Sequence, residues 1–422
     1  MGIINADNTI NQALPDMPSR QEVMAELCRR WQPRPAVEEV SSAEAVGRVL
    51  ARDACAAFDF PPAQTAGRDG IAVRFDDFAG GIPDTSAWVR DRDFATADMG
   101  DDVPDCFDAL IQVEDLRFRG ADGKMQGGTP GGCSFDDGFE VAVAPAERGQ
   151  MINMPGSQYR AGDVIVPAGS RVTPERAAAA VGAGIDALAV WARPRMGVIP
   201  TGDELVPAGT RPARGKTVNS NATLIASYLR LLGAEPVVHD IVLDRHDLIS
   251  AAVDEALACC DVVLVNAGSS KGSEDCGPIV VAEHAECVIA HGQRCAPGKP
   301  SMSALTADGK VVCVIPGPPM ACATALHWLV AGIVAHWYGH SQQERLVRAR
   351  VPEGAKAGGF EVWRRVTLTP AEDGVLEARV LPMGGRAMGT ADGVLRTPSP
   401  EQGDVEPGGF ADVLLLADGF AW

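Results

Sequence analysis

The sequence predicts a multi-domain protein of the α/β plus β class, with a central three-layer α/β domain whose sheet is mostly parallel. Three observations carry this reading. Between residues 194 and 340, apolar runs (MGVI, EPVVHDIV, CDVVLV, KVVCVI) alternate with amphipathic stretches (NATLIASYLRLL, HDLISAAVDEALA, CGPIVVAEHA, MACATALHWLVAGIV). Continuous apolar strands alternating with helices mean a sheet covered on both faces. Residues 55–158 and the region from residue 342 onward instead carry short apolar runs between Gly, Pro and Asp clusters, a β signature. A chain of 422 residues also exceeds one ordinary core.

The elements follow in order. RQEVMAELCRRW, residues 20–31, puts Val23, Met24, Leu27 and Trp31 on one helical face. SSAEAVGRVLARD opens with Ser41 and Glu44 at capping-box spacing and predicts a second helix. GIAVRF, DALIQVED and EVAVAPAE are strands of the first β domain. A helix then starts with Thr173 as its cap and Pro174 in its first position, and ends at Gly182 or Gly184. After the α/β region, RLVRARV, FEVWRRVTLTP, VLEARVLP and ADVLLLADGF predict a second β domain. No internal repeat or long low-complexity tract is present.

Composition removes several function classes. The formal net charge of −19 repels nucleic acid and anionic lipid, so neither is an expected partner. An anionic ligand would need local Lys, backbone N–H groups or a divalent cation. The 11 cysteines include no CxxC pair, which fits reduced thiols in a cytoplasmic protein. MGIINADNTI has no basic region followed by an apolar stretch, so no secretory signal is expected. The apolar stretch ATALHWLVAGIVAHW contains His327 and His336 and reads as a buried helix, not a membrane span. His336 and His340 stand at HxxxH spacing without the acid of HExxH, which favours packing or surface roles over ligation.

Four loops carry unusual chemistry, and ligands of such sheets bind at the carboxyl ends of the strands. PTGDELV makes a tight turn at Thr201 and Gly202, then projects Asp203 and Glu204. VNAGSSKGSED offers Gly268, Gly272, Ser269 and Ser270 as an anion cradle, with Lys271 nearby and Asp275 at the next helix. APGKPS holds Lys299 in a stiff loop, and IPGPPM closes a strand through Pro316 and Gly317. Each alone has a bland reading: a capped turn, a Gly-rich loop, a solvated lysine, a rigid corner. Together they describe a phosphate site with a divalent metal, because carboxylates beside a phosphate repel it unless Mg²⁺ bridges them.

The order TGDEL, NSN, a Gly/Ser loop ending in Asp, PGKP and PGPP closely resembles the molybdopterin molybdenumtransferases, the MoeA-type proteins related to the E domain of gephyrin. AEAVGRVLARD, TAGRDGIAVR and AGDVIVPAGSRVTP match that family's N-terminal signatures in order. The resemblance covers nearly the whole chain and weakens after about residue 340. It implies four domains: a discontinuous helical domain I (1–54 and 159–193), a β insertion as domain II (55–158), the molybdopterin-binding α/β domain III (194–340) and a C-terminal β-barrel, domain IV (341–422). It also implies a homodimer with shared active sites, with other cofactor-biosynthesis proteins as further partners. The implied activity is insertion of molybdate into adenylylated molybdopterin, with Mg²⁺-dependent release of AMP.

Carried over by position, the resemblance implies Asp69, Glu204 and Asp275 as catalytic residues. The implied metal ligands are Asp69, Asp203, Glu204 and Asp275. Thr201, Gly202, Asp203, Ser220, Asn221, Gly268, Ser269, Ser270, Gly272, Lys299, Pro316 and Gly317 would bind the pterin or its phosphate. The departures fall on implied site positions. Ser157 and Gln158 replace an acidic pair, Met99 a Thr, Ala296 a Lys, Ala267 a Gly and Pro318 an Asn; Arg68 and Ile71 alter the motif around Asp69, and MGGRAMGTADG replaces a Ser-rich stretch. Ligand charge and number set metal affinity, so loss of a carboxylate favours a second reading, a non-catalytic paralogue that binds molybdopterin or the finished cofactor. Tungstate in place of molybdate is a third, and nothing in the residues separates the two oxyanions. Arg364 and Arg365 read either as groups reaching a partner subunit's site or as a solvated strand edge.

Overall fold

Six strands form the central sheet: β1 (Arg195–Pro200), β2 (Glu235–Val238), β3 (Val262–Ala267), β4 (Cys287–His291), β5 (Met302–Leu305) and β6 (Val311–Pro316). Their spatial order is β2-β1-β3-β6-β5-β4. The pairs β2/β1, β1/β3 and β3/β6 are parallel, and β5 runs antiparallel to both β6 and β4. This is a computed structural model, and it describes residues 17–119, 124–127, 135, 138–267, 276–382 and 384–416.

Alternation along the strands sorts the core into two layers. Val262 and Leu264 of β3 face a cluster with Ile225 and Leu229 of helix α2 (Ser220–Leu232), Val23 and Leu27 of helix α1 (Arg20–Arg30), and the long helix α5 (Pro319–Trp337). Val263 and Val265 face the opposite cluster, with Ile249 and Val253 of α3 (His246–Cys259) and Val280 and Val281 of α4 (Gly277–His284). Period-two strands with both faces apolar give the three-layer architecture expected from the sequence. Helix α5 has the length and composition to cross a membrane, but 89% of its most apolar window is buried inside the protein. It is the central core helix, and it turns π-helical over Leu326–Val330. Helix α1 crosses it so closely that a Cβ at Gly332 would lie 2.5 Å from Cε of Met24.

The C-terminal strands β7 (Leu346–Val351), β8 (Glu361–Pro370), β9 (Leu376–Val380), β10 (Gly393–Arg396) and β11 (Gly409–Leu415) pair in the order β8-β9-β7-β11-β10, and β10 returns to β8. This closes a five-stranded barrel, which removes free edges. Its interior holds Ala349, Val351, Val366, Ala378, Leu395 and Val413.

The chain divides into two compact units. Met1–Glu38, Gly47–Val49 and Val190–Trp422 make up the first, which contains the α/β sheet and the barrel. The second, Glu39–Val46 and Leu50–Ala189, carries two three-stranded sheets. One is centred on Gly70–Val73 and the other on Leu116–Arg119, with Ile71, Val73, Ile111, Leu116 and Phe118 in their shared core. Its helix Pro174–Gly182 is capped by Thr173, whose side chain accepts the Arg176 N–H, as the sequence predicts.

Two expectations are corrected. The helix predicted from Ser41 does not form. The Ser41 hydroxyl does accept the Glu44 N–H and donates to the Glu44 carboxylate, but residues 42–47 are turns, ended by Gly47 at φ +84°. A good cap cannot carry a helix through a left-handed glycine followed by β-branched Val49. The predicted strand EPVVHDIV stops at Val238. Beyond it, Val242 makes a single parallel bridge to Thr201.

Candidate functional site

Strand β1 connects through α2 to β2 on one side, whereas β3 and β6 lie on its other side. The strand order therefore reverses at β1, and the crevice beyond its carboxyl end is where ligands of such sheets bind. Register places Pro200 opposite Asn266, and Asn266 opposite Ile315, so the carboxyl ends of three adjacent strands lie in a row.

A lattice of buried amides ties these ends together. Asn266 Nδ2 donates to the carbonyls of Ile315 and Pro316, each at 3.0 Å. Asn221, in the first turn of α2, donates through Nδ2 to Asn266 Oδ1 (3.0 Å) and to the Gly317 carbonyl (2.7 Å). The backbone N–H of Thr201 donates to the Asn266 carbonyl at 3.0 Å. Carbonyl acceptors fix both amide orientations, since a flip of either would set oxygen against oxygen. Asn221 is 7% exposed, and its Oδ1 has no hydrogen-bond partner among the described residues. Buried polar atoms are seldom left so, and an acceptor without a donor at a strand-end crevice suits a ligand N–H or O–H.

The turn after β1 presents the acids. Gly202 adopts φ +150°, which disfavours other residues, and a Cβ there would sit 2.5 Å from Oε2 of Glu204. The glycine thus lets the Glu204 carboxylate fold back over the turn. Asp203 Oδ1 accepts the Asp244 N–H at 3.0 Å, and Lys216 Nζ donates to the Asp203 carbonyl at 2.7 Å. Burial holds the Asp244 acid above the usual carboxylate range. The Asp203 hydrogen bond opposes that shift, while the charges of Glu204 and Asp203 add to it. Three acids therefore crowd this corner, although among the described residues no group of three or more His, Cys, Asp or Glu side chains is placed to hold a metal ion. Mg²⁺ characteristically takes one or two carboxylates and completes its shell with phosphate and water, so Asp203 and Glu204 fit such an ion as part of a site.

The Lys299 loop packs elsewhere in the same unit. The Gln293 side chain, Nε2 donating, and the Ser301 hydroxyl both hold the Gly298 carbonyl. A Cβ at Gly298 would lie 3.5 Å from the Ala321 carbonyl, so the loop rests on the first turn of α5. The two-residue strand Cys295–Ala296 pairs with Glu361 and Val362 of β8. Beside this junction is a cavity of about 220 Å³ lined by Met320, Trp363, Arg364 and Arg365, with Val380 and Leu381 among its apolar walls. Arg365 is only 6% exposed, and burial pulls its guanidinium below the usual arginine range. No acceptor lies within hydrogen-bond distance of the guanidinium among the described residues. Arg365 is therefore no solvated strand edge, whereas Arg364 is exposed.

The remaining sequence-derived residues separate. Ser220 is the exposed first residue of α2, and neighbouring Asn219 caps the helix by accepting the Ala222 N–H. Pro316 and Gly317 stand at the lattice. Gly268, Ser269, Ser270, Gly272 and Asp275 lie outside the described residues. Asp69 belongs to the second unit, where its carboxylate accepts the Met99 N–H at 2.7 Å. The next residue, Gly70, is needed there, because a Cβ would fall 2.0 Å from the Ile111 carbonyl. Gln158 is exposed in that unit and donates its N–H to the Phe60 carbonyl. The sequence reading missed Asn266, Asp244 and the burial of Arg365. Only Asn266 left a signal, as an amide ending the apolar run VVLVN.

Comparison with known proteins agrees in two parts of the chain. Residues 18–184 match the MoeA N-terminal region (domain I and II), and residues 197–336 match a probable molybdopterin binding domain. A molybdopterin molybdenumtransferase of Staphylococcus aureus (strain Mu50) is 25% identical over 384 residues, 86% of each chain. A molybdopterin biosynthesis protein of Methanocaldococcus jannaschii is 27% identical over 303 residues, 68% of this chain and 71% of its own. In fold, the chain is similar to the crystal structure of the molybdopterin biosynthesis MoeA protein of Pyrococcus horikoshii OT3, with TM-score 0.74 and 22% identity over 95% of this chain and 100% of that one.

Proposed function

The chain belongs to the MoeA family of molybdenum cofactor biosynthesis proteins, and on that premise we propose that it inserts molybdate into adenylylated molybdopterin with Mg²⁺-dependent release of AMP. The observation that carries this reading is the amide lattice at three adjacent strand ends, with Asn221 Oδ1 left without a donor among the described residues. A pterin edge rich in N–H groups complements such an acceptor. The acidic chain also needs local positive charge for an anionic substrate, and Arg365 and Lys299 supply it beside α5. Only Pro318 and Pro319 separate the lattice residue Gly317 from the cavity residue Met320.

The roles follow from this arrangement. Thr201, Gly202 and Asn221 position the pterin-bearing ligand, with Gly268, Ser269, Ser270 and Gly272 as the phosphate cradle. Asp203 and Glu204 would hold Mg²⁺, which neutralises the charge between carboxylate and phosphate. Asp275 and Asp69 complete the acidic set, Asp69 within a homodimer whose subunits share their sites. Arg365 takes the molybdate oxyanion in a cavity whose 220 Å³ accommodates a five-atom ion, where a buried guanidinium without an acid partner among the described residues favours a double negative charge. The four-domain division and a cytoplasmic location belong to the same reading.

Incubation with adenylylated molybdopterin, molybdate and Mg²⁺ tests it. AMP release and active cofactor above the protein-free blank are expected, and their absence sinks the enzyme reading. One observation favours a second reading, a binder without turnover: Gln158 is exposed and neutral where the resemblance implies an acid. If only Gln158→Glu or Gln158→Asp turns over, the native chain is a binder. If the native chain turns over, Gln158 is not required.

A further inference from the structure

Helix α3 ends on two adjacent cysteines whose sulfurs face each other. Cys259 is the last helical residue, and Cys260 after it is extended, with φ −120° and ψ 156°. That break turns Cys260 inward. Its N–H donates to the Ala256 carbonyl at 2.8 Å, and the residue is 2% exposed in the layer that holds Ala256 and Val263. The Cys260 sulfur rests against Gly197 of β1, where an added Cβ would lie 3.5 Å from it. Cys259 stays exposed, and its sulfur donates to the Glu255 and Ala256 carbonyls, each 3.7 Å away. The two sulfurs are 3.7 Å apart, and no other cysteine pair is in sulfur contact among the described residues. The pair precedes β3 at its amino end, whereas Asn266 and the amide lattice lie at its carboxyl end.

Elementary chemistry narrows what such a pair can do. Cysteines joined by a disulfide usually keep their Cα atoms about 4.4–6.8 Å apart, whereas neighbours across a trans peptide are held at about 3.8 Å. A direct bond between them is therefore strained, and the pair persists as a dithiol. Structural zinc takes four ligands, and among the described residues no group of three or more His, Cys, Asp or Glu side chains is placed to hold a metal ion. A trivalent metalloid is satisfied by two sulfurs, because it keeps one substituent of its own, and thiol ligands select soft acceptors. We infer that Cys259 and Cys260 form a chelating site for a trivalent thiophilic metalloid, the hydroxide of arsenic(III) or antimony(III). Cys259, in solvent, reacts first: its sulfur replaces one hydroxide on the metalloid, and the thiol proton leaves with that hydroxide as water. Cys260 replaces a second hydroxide in the same way and releases a second water. The metalloid stays trivalent throughout, so no oxidant or reductant is consumed. Burial, with the Cys259 sulfur contact adding to it, pushes the Cys260 thiol up to about 12. It enters the step protonated, and the departing hydroxide takes its proton. This second bond forms within one chain, where effective concentration replaces bulk concentration, and that advantage separates the pair from the single thiols.

Phenylarsine oxide added to the full, reduced chain tests this, with intact-protein mass spectrometry as the readout. Excess mercaptoethanol strips the arsenical from single thiols but not from a dithiol. Wild type is expected to keep one phenylarsenic group in that excess and to release it to the dithiol dimercaptopropanol. Cys259→Ser and Cys260→Ser are each expected to weaken retention by about hundredfold or more, the advantage that linking the second bond supplies. Cys106→Ser, which removes an exposed single thiol, is expected to retain the group as wild type does. Should Cys260→Ser not fold with a hydroxyl in the core, Cys260→Ala takes its place, and Cys259→Ser at an exposed position carries the test by itself if neither folds. Wild type that keeps no arsenical in mercaptoethanol overturns the inference. Retention that is unchanged in Cys259→Ser or in the folded Cys260 variant, or that falls as far in Cys106→Ser, overturns it as well.

Discussion

Removing the Asn221 carboxamide opens the amide lattice, and its cost can be worked from the bonds. In Asn221→Ala, Asn266 Oδ1 and the Gly317 carbonyl each lose their Asn221 donor, now at 3.0 and 2.7 Å. An orphaned buried group costs about 1–3 kcal/mol. The same change deletes Asn221 Oδ1, which already lacks a partner among the described residues, and so returns one cost of that size. Two orphans made and one removed leave about 1–3 kcal/mol. Gly317 is half-buried, so water replaces part of its loss and the value falls to about 1–2 kcal/mol. For a unit of this size that corresponds to a calorimetric transition lowered by about 2–8 °C. Pterin binding, followed by ligand fluorescence, should fall more steeply, because the variant also lacks the acceptor offered to the ligand. An unchanged or raised transition temperature would refute the reasoning, since it would mean that the lattice bonds do not hold the three strand ends.

Three further outcomes follow from the geometry. Gly202→Ala should cost about 1–3 kcal/mol in chemical denaturation for its φ of +150°, and should weaken Mg²⁺-dependent AMP release by driving the Glu204 carboxylate off the turn; full activity at wild-type stability counts against that geometry. The raised Asp244 acid is more protonated in the folded than in the unfolded chain, so its contribution to stability is present at low pH and is lost as pH rises through the folded value. Denaturation midpoints against pH should therefore fall less over that window in Asp244→Asn, and an identical slope in both proteins contradicts the crowding of acids. Gly332→Ala should destabilise by about 1–3 kcal/mol through overpacking against Met24, with Met24→Ala relieving it; additive melting shifts would mean that the two helices do not touch there.

The sequence exposed the α/β framework because the three central parallel strands, β1, β3 and β6, are apolar on both faces. MGVI, CDVVLV and KVVCVI stand out for that reason, and the special loops follow them directly. Thr201, Asn221, Pro316 and Gly317 were legible as strand-end or helix-start residues, and the structure brings them together. Local pattern fails where tertiary context decides. Ser41 and Glu44 read as a helix cap, yet Gly47 turns the chain after them. The short β4 and β5 were not identified, because CVIAH and MSAL lack a clear run or alternation. WRR in β8 permits a solvated edge; Val366 takes the barrel interior, so Trp363 and Arg365 lie on its outer face, and only packing against that face buries Arg365. Asp244 reaches the site through the Val242–Thr201 bridge, a single long-range contact that no periodicity announces.

The most direct measurement is hydrogen exchange of the full chain with and without molybdopterin, read peptide by peptide. If the strand-end loops make one pocket, slowed exchange should appear together in peptides covering residues 201–206, 219–223 and 315–321. Protection confined to just one of these stretches, or found only in peptides from the second unit, would contradict it.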